Sequence, residues 1–469
     1  RVQIIDKLEN NHQEMLIGLN KRDQRLHDVY RLNVISGDME LIAENPGNIS
    51  GWQTDHDGKL RLAFTADGVN TSILYREVEA DTFRIILTTD FREEVNPMFF
   101  TFDNKALYVS SNRKRDKSAL YIFDINTATE TDLIFGHDEV DISQAMYSKK
   151  RKVLTGVSIY TSKQKYHFFD NWRENVQKDL EEKLPGVEVR LSDLDDNETM
   201  ALVRTFNDKT RGAYYLYNTE TKELSKLADI SPWLDPLKMA NMMPISYKSR
   251  DGLTINGYLT LPKDSSDKNL PVIVNPHGGP WARNRWGFNS EVQFLANRGY
   301  AVLQMNFRGS TGYGRNFKEI GFKQWGKTMQ DDVTDGVHWL INEGIADKDR
   351  IGIYGGSYGG YATLAGVTFT PELYACGVDY VGPSNIFTLL NSLPPYWELY
   401  RQMFYEMVGN PEDDKELLEE ISPVFHVDKI KAPLFVAQGA NDPRVKQAES
   451  DQIVEALKLK GIDVQYMVK

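Results

Sequence analysis

Tyr30, Tyr75 and Tyr121 stand 45 and 46 residues apart, and Tyr217 follows 96 residues later, about two further periods. Each lies in a segment built on one plan. "HDVYRLNVISGDMELI", "SILYREVEADTFRIIL", "SALYIFDINTATETDLI" and "YYLYNTETKELSKL" put an aromatic in a strand, then a polar turn, then a strand ending in Leu or Ile. A period in the mid-forties with several strands per unit suits a β-propeller blade, with hairpins closing on turns such as "SGD", "ADG" and "FDN". A β-sandwich needs no fixed repeat, so the propeller is the favoured reading. About five units are expected over residues 1–240, with a degenerate one around "KYHFFDNW" and the first one cut into.

From about Pro244 the pattern changes. "ISYKSRDGLTINGYLTLP" reads as a hairpin entering a new domain. The strands "PVIVNP", "YAVLQMNF", "RIGIYG", "CGVDYV", "PLFVAQG" and "VQYMV" then alternate with helical stretches, among them "QDDVTDGVHWLINEG" and "KQAESDQIVEALKLKG". Apolar strands alternating with helices specify a mostly parallel, doubly wound sheet covered on both faces. This second domain is expected over 241–469. A chain of 469 residues also exceeds what one ordinary core serves.

Composition narrows the function. Hydrophobic content of 41% and charged content of 26% are those of a globular protein. No apolar run approaches the roughly 20 residues that span a bilayer. A net charge of -12 argues against nucleic acid as a partner, since phosphate binding needs a basic surface. Cys376 is the single cysteine, so no intrachain disulfide or thiolate cluster forms, and "YACGVDY" reads as a buried strand with the thiol in packing. The chain opens "RVQIIDKLEN", in mid-pattern, without Met or leader. It is expected to be a piece of a longer polypeptide, and the compartment stays open between cytoplasm and periplasm or secretion.

The chemistry centres on "RIGIYGGSYGGYATLAG" (350–366). A strand, a sharp turn and a helix give meaning to the G-x-S-x-G formed by Gly355, Ser357 and Gly359. The turn strains the serine backbone and holds Oγ at the carboxyl edge of the sheet, where a helix N-terminus favours developing negative charge. Ser357 is the candidate nucleophile. An oxyanion needs two donors. The backbone N–H of Tyr358 supplies one, and the loop "HGGPWARNRW" after "PVIVNP" supplies the other, assigned to Gly279. His277, ahead of the nucleophile in that loop, suits a structural hydrogen bond better than the role of base.

The triad acid should follow the nucleophile. Asp442 in "PLFVAQGANDPRV" is 85 residues later, after a late strand; Asp379, ending "CGVDY", is the alternative. The histidine should come after the next strand, "VQYMVK". No histidine follows Asp442. His338 in "DGVHWL" is expected to be packed in a helix, and His426 in "SPVFHVDKI" precedes the acid. The base is therefore expected beyond Lys469, followed by a final helix.

Taken together, "HGGPWARNRW" (277–286), "NFRGSTGYGRNF" (306–317), "WGKTMQDDVTDGVHWL" (325–340), "GIYGGSYGGYATL" (352–364) and "GANDPRV" (439–445) make the chain resemble the prolyl oligopeptidase family of serine peptidases. Its acylaminoacyl-peptidase and dipeptidyl-peptidase-like branch is the nearest in pattern. The resemblance implies an α/β-hydrolase domain preceded by a propeller that limits access to short peptides. It implies a Ser357–Asp442–His triad, an oxyanion hole from Gly279 and Tyr358, and a substrate pocket shaped by Tyr361, Val381 and Val445. It places Arg308 and Tyr313 near the site, with a loop-supporting role equally open. It implies neither metal nor organic cofactor, and it leaves a homo-oligomer open. The family's propeller usually has more blades, so an amino-terminal portion is expected to be missing. Glu174, Glu181 and Glu182 in "DNWRENVQKDLEEKLPG" (170–186) could correspond to the paired glutamates that hold a free amino terminus, but a solvated amphipathic helix is preferred there. A carboxylesterase on the same fold and a scaffold with an inactive hydrolase domain are the rival functions.

Overall fold

The computed structural model describes residues 2–469. Five antiparallel sheets come first, each one propeller blade. Blade 1 comprises strands Val2–Asp6, Glu14–Asp23, Leu26–Asn33 and Met39–Ala43, and blade 2 comprises Ile49–Thr54, Leu60–Ala66, Asn70–Tyr75 and Arg84–Asp90. Blade 3 has Val95–Phe100, Ala106–Ser111, Ala119–Asp124 and Thr129–Phe135; blade 5 has Glu188–Leu194, Met200–Phe206, Ala213–Asn218 and Leu224–Asp229. Blade 4 has three strands, Ile142–Ser148, Val153–Tyr160 and Gln164–Phe168. The repeat has a structural meaning: Tyr30, Tyr75, Tyr121 and Tyr217 all lie on the third strand of their blade. Tyr166 of "KYHFFDNW" holds the third strand of blade 4.

After that strand the sequence turns helical in place of a fourth strand. Helix α1 (Asn171–Lys183) starts where the Asp170 carboxylate accepts the N–H of Arg173, with Glu174 in the first turn and Lys183 in the last, as the helix dipole favours. Its Val176 and Leu180 pack against Val189, Ala201, Val203 and Tyr217 of blade 5.

The sheet character changes after Asp229. Eight strands form one mixed sheet: β1 (Met242–Lys248), β2 (Thr254–Thr260), β3 (Leu270–Val274), β4 (Ala301–Asn306), β5 (Ala346–Gly356), β6 (Cys376–Tyr380), β7 (Leu434–Gln438) and β8 (Val464–Val468). The order is β1-β2-β4-β3-β5-β6-β7-β8, and only β2 runs against its neighbours. This is the α/β-hydrolase sheet. Every residue of β4 is buried, and its two polar side chains are hydrogen-bonded, Gln304 to Asn275 and Asn306 to Tyr313. Helices α2 (Ser290–Ala296), α3 (Arg315–Glu319), α4 (Thr328–Asn342), α5 (Tyr358–Phe369), α6 (Ile386–Asn391), α7 (Arg401–Met407), α8 (Lys415–Glu420) and α9 (Gln447–Leu459) connect the later strands. Among the described residues, no helix is long and apolar enough to cross a membrane.

The change of sheet near residue 240 is not where the compact units divide. One unit is Arg1–Ile142 with Leu393–Met407, and the other is Ser143–Ser392 with Val408–Lys469. In the first, Met403 N–H donates to Gly68 O at 2.8 Å and Arg92 pairs with Glu406 at 3.1 Å, so α7 belongs with the early blades. In the second, Asp208 of blade 5 accepts Met242 N–H at 2.8 Å. The buried Gln293 amide donates to the carbonyls of Asp208 and Ala240 and accepts Ala240 N–H.

Two sequence expectations need correction. His338 is exposed, because α4 turns Val333, Val337 and Leu340 inward and leaves position 338 on the opposite face. Cys376 is exposed as the first residue of β6, ahead of the buried stretch.

One buried ion pair ties the loop after β4 to α4. The Arg308 guanidinium grips Asp332 through Nε at 2.9 Å and Nη2 at 2.7 Å, and Nη1 reaches Asp251 at 2.8 Å. Burial alone would lower the arginine's pKa, yet the hydrogen bonds it donates to Asp332 and Asp251 outweigh that and raise it. Arg308 thus supports the loop. Removing one partner strands the other, so Asp332→Ala should cost about 3–5 kcal/mol, read as a lower urea midpoint for unfolding of the second unit. The pair Arg308→Met, Asp332→Leu should be milder.

Candidate active site

Ser357 follows β5 directly and precedes the first residue of α5. Its backbone is at φ 57° and ψ -122°, a region an L-residue adopts at a cost of about 1–3 kcal/mol. Neighbouring bonds hold it there. Ser357 N–H donates to Tyr380 O at 2.9 Å, and Tyr361 N–H donates to Ser357 O at 3.0 Å. The glycines make the turn possible. A Cβ at Gly355 would lie 2.4 Å from Gly359 O, one at Gly359 would lie 2.3 Å from Pro276 O, and one at Gly360 would lie 2.4 Å from Asp379 Oδ1. The result is an exposed serine on a buried elbow at the carboxyl edge of the sheet. The first N–H groups of α5 have no partner within the helix, and Tyr358 offers the first of them.

The loop after β3 lies against this elbow. A Cβ on Gly278 would sit 3.5 Å from Ser357 Cβ and 3.0 Å from Gly356 O. His277 fixes the orientation of the loop. Its Nδ1 is 2.7 Å from Gly278 O, which can only accept, so Nδ1 carries the proton. Nε2 then accepts the Ser310 hydroxyl at 2.9 Å, and the ring stacks on Phe307 at 4.3 Å. Burial lowers the imidazole to about 4, so it stays neutral. The C=O and N–H of a trans peptide point opposite ways. With Gly278 O tied to His277, Gly279 N–H is turned the other way, and among the described residues it keeps no protein acceptor. His277 is thus a support for the loop.

Asp442 lies past the end of β7, two strands from Ser357 on the same carboxyl edge. With strands roughly 4.8 Å apart, the two chain paths are about 10 Å apart laterally, room for one imidazole. The Arg444 and Val445 N–H groups donate to Asp442 Oδ1 at 2.8 and 2.9 Å. Oδ2 takes neither bond. Lys469, after β8, reaches the same loop: Ala440 N–H donates to its carbonyl at 2.7 Å.

Asp379 is placed differently. It is wholly buried beneath the elbow; its Oδ1 accepts Gly382 N–H at 2.9 Å and its Oδ2 has no partner. Burial pushes this carboxyl up to about 8, with a smaller push from Glu449. Glu449, also raised by burial, accepts the N–H groups of Ser384 and Asn385 at 3.1 Å, the Thr388 hydroxyl and the Gln452 amide. These two carboxyls brace the loop after β6. Composition and spacing did not single out Glu449; only its position on the inner face of α9 reveals it.

Val381 opens that loop with φ 49°, unusual for a β-branched residue, and donates to Ala437 O at 2.9 Å. Val445 is buried beside Asp442. Tyr361 does not line an opening. It is 0% exposed, its hydroxyl donates to Ile421 O at 2.8 Å, and its ring packs on Trp325 and Tyr358. The reason is α5, which is buried on every side. The Tyr358 side chain is interior as well, so only its N–H can serve. Tyr313 accepts from Arg283 and Asn306 and supports the loop from within. Glu174 pairs with Lys178, and Glu181 accepts from Gln177, as in a solvated helix.

Two outcomes test this architecture. The Asp379 carboxyl binds a proton in the folded chain up to about pH 8 but releases it near 4 when unfolded. Its stabilising share is complete below about pH 4 and is lost as pH rises through about 8. Asp379→Asn should therefore raise the melting temperature more at pH 9 than at pH 5, measured by calorimetry; equal shifts would place an ionised carboxylate there. His277→Ala should free the loop after β3 and lower kcat by at most about 10²–10³-fold, the cost of losing one backbone donor beside a nucleophile, while KM moves little.

Comparison with known proteins agrees with the fold. The prolyl oligopeptidase family signature matches residues 286–469. Dipeptidyl aminopeptidase BIII of Pseudoxanthomonas mexicana is 38% identical over 474 residues, covering 97% of this chain and 67% of that protein. Dipeptidyl peptidase family member 6 of Caenorhabditis elegans is 32% identical, covering 98% of this chain and 67% of that protein. A Mycobacterium tuberculosis puromycin-hydrolyzing peptidase shares the fold at TM-score 0.76 and 19% identity, over 97% of this chain and 73% of that one. The chain belongs to the prolyl oligopeptidase family of serine hydrolases.

Proposed function

We propose that the protein is a serine peptidase that cleaves short peptides through an acyl-enzyme. The observation that carries this reading is the exposed Ser357 held at φ 57° and ψ -122° ahead of α5. Ser357 Oγ attacks the scissile carbonyl, and its proton passes to an imidazole. The tetrahedral oxyanion accepts the N–H groups of Gly279 and Tyr358. The imidazolium then protonates the leaving amine, and water, deprotonated by the same ring, releases the acyl group. Asp442 Oδ2 accepts the other ring N–H and keeps the tautomer correct.

The imidazole is assigned to a histidine carried after Lys469. In support, Lys469 lies beside the Asp442 loop. His277 is buried, lowered to about 4 and engaged at both nitrogens, which does not suit a base. Val381 and Val445 are proposed to border the pocket for the residue ahead of the scissile bond. The printed names of the relatives, dipeptidyl aminopeptidase and acylamino-acid-releasing enzyme, support peptides over simple esters.

A fluorophosphonate probe should label full-length protein at Ser357 and leave Ser357→Ala unlabelled. The 1–469 chain alone should hydrolyse peptide anilides at least about 10³-fold more slowly than the full-length protein, given what a lost triad member costs. Comparable rates would mean that another residue is the base. Turnover of p-nitrophenyl esters without any peptide would instead favour an esterase.

A further inference from the structure

Arginines gather on one face of blades 4 and 5, and the carboxylates beside them are engaged elsewhere. On blade 4, Ser158 pairs in register with Tyr166 and Gly156 with Phe168, so Ser158, Tyr160, Tyr166 and Phe168 share one face. Four arginines border that face. The Arg285 guanidinium is 4.8 Å from the Tyr160 ring centre, and that of Arg283 is 5.9 Å from it. Arg173 stands 5.2 Å from the Phe168 ring. Arg190 is close enough for its charge to act on both Tyr160 and Tyr166. A fifth arginine, Arg204, lies directly across the blade 5 ladder from Arg190.

The charges are not balanced. The side chains of Arg190, Arg204 and Arg285 make no ion pair or hydrogen bond among the described residues. The Arg173 guanidinium, in a residue only 5% exposed, has no hydrogen-bond partner but the neutral amide oxygen of Gln177. Of the nearby acids, Glu188 is held by Lys163 at 3.0 Å, Asp170 by Arg151 and Glu181 by Gln177. Like charges directly across a ladder destabilise a sheet, so this arrangement is costly as it stands. These residues also hold buried polar atoms without a partner. Ser158 is 1% exposed and its Oγ has no partner, and the buried Nε atoms of Arg204 and Arg283 have none. Arg190 and Arg285 are exposed, while Ser158 and Arg173 are buried. Guanidinium forks on an aromatic platform match a carboxylate.

We propose that this face is a carboxylate-binding site that anchors the charged end of a peptide ligand. That the ligand is a peptide rests on the function proposed above. Arg283 and Arg285 follow Gly279 by four and six residues on the same loop. Six residues reach at most about 20 Å, so an extended peptide engaged at Ser357 can present a carboxylate within about six residues of the scissile bond. Either a C-terminal carboxylate or an acidic side chain supplies the same chemistry.

The test uses the full-length protein bearing Ser357→Ala, so binding is read without turnover. Calorimetry compares three hexapeptides of one sequence: the free acid, its carboxamide, and a carboxamide with Glu as its last residue. The free acid, the Glu peptide or both should bind at least about tenfold more tightly than the plain carboxamide. That preference should shrink between 50 and 500 mM NaCl and fall toward one in Arg190→Gln, Arg285→Gln protein of unchanged melting temperature. The pattern among the three identifies the carboxylate's source. Equal affinity of all three peptides, or a preference that survives both substitutions, would overturn the site. Hydrolysis by the Ser357 protein with no carboxylate preference overturns this site and spares the peptidase. Carboxylate-dependent binding without any hydrolysis spares the site and sinks the peptidase.

Discussion

The contact on which the site depends is the approach of Gly359 to Pro276 O, where a single added carbon would come within 2.3 Å. That closeness lets α5 start at the sheet edge, and it holds Ser357 in a conformation its own backbone disfavours. Strain of about 1–3 kcal/mol persists only where surrounding structure over-determines it. Here the surroundings are Tyr380 O above the serine N–H, the glycines on each side and the loop after β3 against Gly356. The hydroxyl is exposed because everything beneath it is packed.

Buried charge follows two different rules in this chain. Arg308 and Asp332 are paired fork to carboxylate, which offsets their desolvation. Asp379 has no cation and keeps its proton instead, the cheaper state for a carboxyl with one unsatisfied oxygen. Both serve the same end, fixing a loop at the carboxyl edge of the sheet. Arg190, Arg204 and Arg285 obey neither rule. Among the described residues their side chains have no ion pair, and a guanidinium keeps its proton, which sets that face apart from the rest of the molecule.

Much of this was legible in the sequence because it rests on local rules. The tyrosine period marks the third strand of each blade, and Tyr166 kept that place even where its blade lost a strand. Strand–glycine–serine–glycine–helix has few backbone solutions, so Ser357 and the N–H of Tyr358 could be placed from spacing alone. The order of β3, β5 and β7 put Gly279, Ser357 and Asp442 on one edge, since parallel strands all end on the same side.

What needed the tertiary structure was the direction of each side chain. Tyr361 was expected to shape a pocket, yet α5 is enclosed on all sides and the ring is interior. His338 looked packed and Cys376 buried, yet each is exposed one residue from a buried position of its element. Glu449 carries no motif, and the arginines come from two blades and a distant loop. The sequence by itself determined the elements, their order and the serine at the turn, because those follow from periodicity and from backbone sterics between near neighbours. Only the folded chain decided which groups are buried, paired or left unpaired, because burial and Coulomb energy depend on neighbours far apart in sequence.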